Sequence, residues 1–161
     1  MSLQLLRLLQ KLLSKNSMSA TRHRKNHKIY EKYTQEIRGT NCQFCDFNAQ
    51  DSQVLSELKS FWIVKNIFPY DIWDTSQVSD HLMVVPKRHV DSISHFDNSE
   101  KQEYVTALAE YEKQGYSIYA RAPTNVIKSV VHQHTHLIKM DSNSIKKFIL
   151  YFRRPRMLLT R

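Results

Sequence analysis

Cysteine, glycine and proline are scarce in this sequence of 161 residues, which contains two, two and four of them. Two cysteines cannot form the disulfide framework that stabilises small secreted domains, so we expect a reducing compartment. Long apolar runs are also missing, and no stretch reaches the length that a membrane-spanning helix needs. With 41% hydrophobic and 24% charged residues, the sequence fits one folded domain and excludes a wholly disordered chain.

Acidic residues are rare at both ends of the chain. Residues 1–41 carry nine Lys and Arg against two acids, and residues 145–161 carry six against none. The middle, residues 42–144, has nine basic and thirteen acidic residues and is therefore net negative. The net charge of +9 thus resides in two basic arms, which argues against a basic cleft through the whole protein. Any contact with nucleic acid is expected to involve these arms.

Residues 1–40 are predicted to form a basic, partly helical N-terminal extension. Four leucines share one helical face: Leu5, Leu8, Leu9 and Leu12. Polar residues interrupt them too often for a secretory signal, but a basic, amphipathic segment is also typical of an organelle transit peptide. A loosely attached tail, or a true start at Met18, explains the same residues. We expect a cytoplasmic protein, with organelle targeting as the alternative.

The remaining sequence, residues 41–161, predicts an α+β domain with a mostly antiparallel sheet of about five strands, one or two helices, and a basic C-terminal strand or tail. The predicted strands cover residues 54–57, 60–66, 81–85, 117–120, 130–140 and 147–152. The predicted helices cover residues 27–37 and 98–115, and the second begins with the capping-box spacing of Asp97 and Glu100. Residues 68–80 are predicted to be irregular.

Three histidines alternate with other residues inside the predicted strand of residues 130–140: His132, His134 and His136. Alternate side chains of a strand leave the same face, so we expect three imidazole rings in a row, about 7 Å apart. A coordinated metal and an exposed strand with chance histidines are two explanations. A site for an extended anion is the third and the one we favour, because the successive charged oxygens of a phosphate chain each need a hydrogen-bond donor.

Three motifs resemble those of the histidine triad (HIT) family. Residues 132–138, His-Gln-His-Thr-His-Leu-Ile, are similar to the signature of the family. Residues 81–89, His-Leu-Met-Val-Val-Pro-Lys-Arg-His, resemble its second motif, a strand that ends in Pro-Lys with a histidine three residues after the proline. Residues 42–45, Cys-Gln-Phe-Cys, resemble the motif that opens many zinc-containing members. The motifs occur in the family's order, so the resemblance implies a HIT-like fold.

The resemblance implies a nucleotide hydrolase or nucleotidyl transferase that attacks an α-phosphorus through a nucleotidyl-histidine intermediate. Dinucleoside polyphosphates or nucleoside phosphoramidates are the implied substrates. His134 matches the family's nucleophile, and a neutral imidazole is a good nucleophile near pH 7. His136 and His81 match histidines at the phosphate and the leaving group, and Ser129 matches a phosphate-binding hydroxyl. His81 and Ser129 also have a simpler explanation as side chains bonded to nearby backbone.

The resemblance also implies a structural zinc ion, held by two thiolates and two imidazoles. The implied ligands are Cys42, Cys45, His89 and His132. Such a site would be closed and would take no part in catalysis. Two reduced thiols, or an oxidised Cys-x-x-Cys pair, are the alternatives.

Nucleotide recognition is assigned by the same resemblance. Asn66 matches the residue that holds the ribose, three positions before a proline. Asp71 and Asp74 are further candidates for the ribose hydroxyls, and Phe68 and Ile72 are candidates for contact with the base. A solvated loop explains both aspartates equally well.

The sequence departs from the family pattern just before the triad. Lys128 stands where many members have a glutamine, which implies either an added phosphate contact or a different substrate. His136 is present, and this favours the hydrolase-like branches over the uridylyltransferase branch. Many members form dimers, so a homodimer is a further expectation. The alternatives to nucleotide turnover are deadenylation of nucleic-acid ends, assisted by the basic arms, and a zinc-stabilised module that binds nucleotide or nucleic acid without catalysis.

Overall fold

The structure, a computed structural model, describes residues 21–37, 41–125, 128–144, 147–149 and 158–160. Two α-helices lie in these ranges, α1 (Arg24–Glu36) and α2 (Asn98–Lys113), together with two 3₁₀ turns, Gln43–Cys45 and Ile93–His95. The strands are β1 (Val54–Glu57), β2 (Phe61–Lys65), β3 (Ile72–Trp73), β4 (Ser76–Pro86), β5 (Tyr116–Ala120), β6 (Thr135–Ser144), β7 (Lys147–Ile149) and β8 (Leu158–Thr160). The predicted N-terminal leucine stripe, Met18 and most of the basic C-terminal arm lie outside the described residues.

Six strands form the main sheet, in the order β1-β2-β4-β6-β5, with β3 paired to the first residues of β4. Every pairing in this sheet is antiparallel. Strands β7 and β8 form a separate two-stranded sheet. The predicted α+β fold with a mostly antiparallel sheet is therefore confirmed. None of the described helices is long and apolar enough to cross a membrane.

The two faces of the sheet carry different apolar clusters, because successive side chains of each strand point to opposite sides. On one face, α2 covers a core that includes Phe61, Ile63, Leu82, Val84 and Leu137, with Tyr104 contributed by the helix. On the other face, Trp62, Val64, Met83 and Val85 pack against Phe44 and Phe47. The β4–β6 register pairs Met83 with His136, so His136 belongs to this second face.

Helix α2 begins with the capping box that its sequence predicts. The Asp97 carboxylate accepts from the Glu100 backbone N–H at 2.8 Å, and the Glu100 carboxylate accepts from the Asp97 N–H at 2.9 Å. The Arg88 guanidinium also pairs with Glu100 at 2.7 Å. This ion pair joins the start of α2 to the segment that follows β4.

Two predicted element boundaries are wrong. Residues 68–80 are not irregular throughout, because β3 and the first half of β4 form a hairpin whose turn residues, Asp74 and Thr75, both have positive φ, 49° and 62°. This turn geometry is usually formed by Asn-Gly or Asp-Gly, and Asp74-Thr75 matches neither signal. The strand predicted over residues 130–140 begins only at Thr135. His132 and His134 precede it, so the three rings do not form a row along one strand.

Candidate active site

A cavity of about 360 Å³ lies on the second face of the sheet. It is bounded by residues from β4, β6, the segment that follows β2, the 3₁₀ turn at Gln43–Cys45 and helix α1. The candidate site residues that line it are His134, His136, Ser129, Asn66 and Phe68. The side chains of His134 and His136 are 6% and 5% exposed, and their ring centroids lie 5.0 Å apart. The two histidines are thus buried from bulk water but face a space that can hold a ligand.

The backbone just before β6 fixes the protonation of the His134 ring. The Gln133 N–H donates to the Val90 carbonyl at 2.6 Å, which anchors this irregular segment. His134 Nδ1 lies 2.9 Å from the His132 carbonyl oxygen. Since a carbonyl only accepts, Nδ1 must carry the proton and donate it. In a neutral ring the lone pair is then on Nε2, which is the atom that a nucleophile or a base would use.

A second chain of hydrogen bonds fixes the proton of His136. The Tyr70 N–H donates to His81 Nδ1 at 3.0 Å, so a neutral His81 carries its proton on Nε2. His81 Nε2 lies 2.9 Å from His136 Nδ1 and donates to it. The proton of His136 is therefore on Nε2, an atom that is buried and has no hydrogen-bond partner among the described residues. The cavity wall thus has a free N–H donor next to the His134 lone pair.

Burial keeps these histidines neutral at physiological pH. It lowers the pKa of His81 to about 3 and that of His134 to about 4. The pKa of His136 lies well below its ordinary value, chiefly because of burial and also because of the neighbouring histidines and the charges of Arg121 and Arg22. In the cavity, His134 therefore offers a hydrogen-bond acceptor and His136 offers a donor. Neither ring is an imidazolium cation at this pH.

Cys42, Cys45, His89 and His132 form a cluster that could hold a metal ion, with one ligand atom from each residue and all four atoms within 4.8 Å of one another. Cys45 Sγ lies 3.1 Å from His89 Nδ1, and Cys42 Sγ lies 3.4 Å from His132 Nδ1. On the other side of the His132 ring, Nε2 is 2.9 Å from the Pro86 carbonyl and donates to it. This bond leaves the Nδ1 lone pair for a metal, as is usual for histidine ligands.

Phe44 connects this cluster to the cavity. It lies between the two cysteines in sequence and packs edge-on against the His132 and His134 rings, with centroid distances of 5.8 and 5.2 Å. It also stacks on Phe47 at 5.6 Å. Any ion that holds the cysteines in place would therefore also hold an aromatic wall against the His134 ring.

The other predicted nucleotide-binding residues lie in different surroundings. Asn66 Oδ1 accepts from the Phe68 N–H at 2.9 Å, and its amide nitrogen lies 3.3 Å from His81 Nε2. Asp71 does not line the cavity, and its carboxylate accepts from the His23 N–H and from the Asn26 amide, both at 2.7 Å. This carboxylate is thus occupied at the start of α1.

Three further candidates are also outside the cavity lining: Ile72, Asp74 and Lys128. Ile72 is buried in the β3–β4 hairpin, and Asp74 lies in its turn. The Lys128 ammonium donates to the Asp91 carbonyl at 3.0 Å and to the Gln133 side chain at 3.1 Å. It therefore supports the segment that carries His134, with the Gln133 side chain as its partner.

Several cavity residues were not predicted: Arg22, Tyr30, Tyr33, Tyr70 and Arg121. Three of them belong to or adjoin α1, which lies in the segment predicted to be an N-terminal extension. Helix α1 is brought to the cavity by long-range bonds, including the Arg22 guanidinium to the Phe68 carbonyl at 2.8 Å and the Asp71 N–H to the Thr21 carbonyl at 2.8 Å. The sequence signal for this contact is weak, since only the aromatic content of α1 sets it apart from the basic arm.

Comparisons with known proteins find similarity at the level of three-dimensional structure. No family model and no curated protein matches the chain. A HIT family hydrolase from Legionella pneumophila is 22% identical, with a TM-score of 0.47 over 65% of this chain and 95% of that one. A HIT family hydrolase from Clostridium thermocellum is 20% identical, with a TM-score of 0.49 over 66% and 96%. A histidine triad nucleotide-binding protein from Candida albicans is 20% identical, with a TM-score of 0.47 over 64% and 78%.

Proposed function

We propose that this protein is a HIT-type nucleotide hydrolase or nucleotidyl transferase that uses His134 as its nucleophile. The observation that carries the proposal is the pair of fixed tautomers in one cavity, with a lone pair on His134 Nε2 and a free N–H on His136. A phosphoryl group needs both, because the phosphorus is attacked while its oxygens gain negative charge. The sequence resemblance to the histidine triad supports the same assignment.

In the first step, His134 Nε2 forms a bond to the α-phosphorus, and the bond from phosphorus to the leaving group breaks. The leaving group departs with that electron pair. His136 Nε2–H donates a hydrogen bond to the phosphoryl or leaving-group oxygen, and preorganised donors of this kind contribute about 3 kcal/mol each. His81 and the Tyr70 backbone act through His136 as positioning groups, because they keep its proton on the side of the cavity.

In the second step, water or another acceptor attacks the nucleotidyl-His134 intermediate from the cavity. The phosphorus–nitrogen bond breaks, its electron pair returns to Nε2, and the proton of the acceptor is released. Ser129 supplies a hydroxyl for the phosphate, and Asn66 supplies an amide for the ribose; both line the same cavity. The aromatic side chains Phe44 and Phe68 provide apolar surface for the base.

Zinc fits the Cys42, Cys45, His89 and His132 cluster, since two thiolates and two imidazoles at short mutual distances are a common tetrahedral zinc set. When bound, zinc would supply only structural cross-linking. His132 holds the backbone carbonyl that orients His134, so the ion would stiffen the nucleophile without touching substrate.

The test compares wild-type protein with His134→Ala on a labelled diadenosine polyphosphate and an adenosine phosphoramidate. We expect the variant to lose at least about a thousandfold in turnover. Mass spectrometry of the quenched wild-type reaction should locate a nucleotidyl group on the peptide that contains His134. His95→Ala is the matched control, because the His95 side chain is exposed, pairs with Asp91 and does not line the cavity. Equal turnover by wild type and His134→Ala would refute the mechanism, and binding without turnover would favour the non-catalytic module.

A further inference from the structure

Arg22 occupies an unusual position for a residue of a basic N-terminal arm. It lines the histidine cavity, and its guanidinium lies over two aromatic rings, 4.1 Å from the centroid of Tyr30 and 4.7 Å from that of Tyr70. One terminal nitrogen donates to the Phe68 carbonyl at 2.8 Å. Its Nε is buried and has no hydrogen-bond partner among the described residues. A buried donor without a partner is costly unless a ligand completes it.

A second guanidinium approaches the same tyrosine from β5. The β5–β6 register pairs Tyr119 with His136 and Ala120 with Thr135, so Arg121 follows the strand across from His134. Arg121 lines the cavity and donates to the Tyr70 hydroxyl at 3.3 Å. Two cations thus contact one buried tyrosine. Arg22, from the N-terminal segment, lies over the ring of Tyr70, and Arg121, which follows β5, lies at its hydroxyl.

Tyr70, which both guanidinium groups contact, also packs against two of the buried histidines. Its ring centroid lies 4.6 Å from that of His81 and 5.5 Å from that of His136. The carboxylate of Asp71, which acts on Arg22 electrostatically, already accepts two hydrogen bonds at the start of α1. Two acidic residues also line the cavity, Asp46 and Asp51, and Asp46 lies between Phe44 and Phe47 in sequence. Both guanidinium groups contact Tyr70, so the positive charge of the cavity lies at this tyrosine, next to His136.

We propose that Arg22 and Arg121 form an anion subsite beside His136 for a phosphate beyond the α-phosphate, so that the preferred substrates have an anionic leaving group. The inference rests on the proposed function and narrows it: nucleoside polyphosphate derivatives are favoured over phosphoramidates with a neutral amine. Guanidinium groups bind phosphate through paired N–H donors, and a site already shielded by aromatic rings strengthens that attraction. The unpartnered Nε of Arg22 would gain its acceptor from this phosphate.

Binding measurements test the subsite without requiring turnover. The affinities of ADP, AMP and inorganic pyrophosphate are measured by calorimetry for wild type, Arg22→Gln and Arg22→Lys. Wild type should bind ADP at least about tenfold more tightly than AMP, and Arg22→Gln should lose most of that preference and most pyrophosphate affinity. Arg22→Lys, which keeps the charge but not the planar fork, should retain an intermediate preference. Arg24→Gln is the matched control, since Arg24 is exposed two residues away and carries the same charge.

Thermal melting of each variant shows whether it is folded. If Arg22→Gln is unfolded, the ADP-over-AMP preference of Arg22→Lys is compared with that of wild type instead. Equal binding of ADP and AMP by wild type, an undiminished preference in Arg22→Gln, or no binding of either nucleotide or pyrophosphate would overturn the proposal. In the kinetic arm, Arg22→Gln should lower the ratio of kcat/KM for a dinucleoside polyphosphate to that for a phosphoramidate by about tenfold. A preference for ADP in a protein that forms no His134 adduct would reject the proposed function and leave the subsite in place.

Discussion

His81 is a buried ring that contacts His136 and does not itself line the cavity. It has 2% of its surface exposed and donates to His136, while its own Nδ1 accepts from the Tyr70 backbone. In a protonated His81, the second proton on Nδ1 would have no acceptor, because Nδ1 already faces the Tyr70 N–H donor. This arrangement explains why a histidine fits here and a lysine or an arginine does not, since a neutral imidazole both accepts and donates, whereas lysine and arginine only donate.

The neutrality of His81 predicts a loss of stability in acid. Its pKa is lowered to about 3 in the folded protein, whereas in the unfolded chain it is about 6.5. Between these values the unfolded state binds the extra proton, so the free energy of unfolding should fall as pH decreases from about 6.5, by up to about 1.4 kcal/mol per pH unit. Above pH 6.5 the effect is absent. Urea unfolding at several pH values between 7 and 4 measures it.

The matched variant for this prediction is His81→Gln, which cannot be protonated. The difference in unfolding free energy between wild type and variant should change with pH over this range, while contributions from titrating groups that do not interact with His81 cancel. A pH-independent difference would contradict the neutral assignment. The same variant should lower kcat more than it raises KM, because a displaced His136 proton weakens transition-state stabilisation rather than substrate binding.

At the scale of elements, the site depends on a short segment with little regular structure of its own. The 3₁₀ turn Gln43–Cys45 has three residues and contacts the sheet through Phe44 and Phe47. A segment this short gains little stability from its own hydrogen bonds. A zinc ion shared by Cys42, Cys45, His89 and His132 would join it to the β4–α2 connection and to the backbone before β6.

Removal of this metal should therefore both destabilise the protein and loosen the nucleophile. Metal analysis of Cys42→Ser/Cys45→Ser protein should show the loss of about one equivalent of zinc. A chelator should lower the melting temperature of wild type, and added zinc should restore it; the double variant should respond to neither. Unchanged metal content in the double variant would disprove the assignment.

The helices and strands also show which structural features could be predicted from the sequence and which could not. The capping box of Asp97 and Glu100 is a local interaction, and α2 begins where it predicts. The start of β6 was misplaced because the Gln133 N–H bonds to Val90 instead of to a neighbouring strand. The role of α1 was missed for a similar reason: Asp71, far along the chain, accepts from His23 and Asn26 at the beginning of this helix. Contacts between distant segments leave no periodic pattern in either one.

For the whole molecule, charge separates a body from two arms. Residues 42–144 are net negative, while the 41 residues before them and the last 17 hold the positive excess. Arg22 shows that not every charge in the N-terminal arm serves the same purpose, since it lines the histidine cavity. An excess of positive charge attracts a polyanion, and the charge of the two arms is the basis of the alternative function at nucleic-acid ends.

This alternative predicts salt-dependent binding that is independent of nucleotide turnover. If the arms contact nucleic acid, the logarithm of the affinity for duplex DNA should fall linearly with the logarithm of salt concentration, with a slope of about 0.9 for each phosphate contact. Replacing Lys146, Lys147, Arg153, Arg154 and Arg156 by Gln should flatten that slope, whereas turnover of a dinucleoside polyphosphate should stay unchanged. Fluorescence anisotropy across a salt series measures the slope, and replacing Glu110, Glu112 and Asp141 by the corresponding amides gives a control that changes charge outside the arms. DNA binding with no salt dependence, or no binding at all, would show that the arms are not a nucleic-acid-binding site. Small nucleotides would then remain as the proposed substrates.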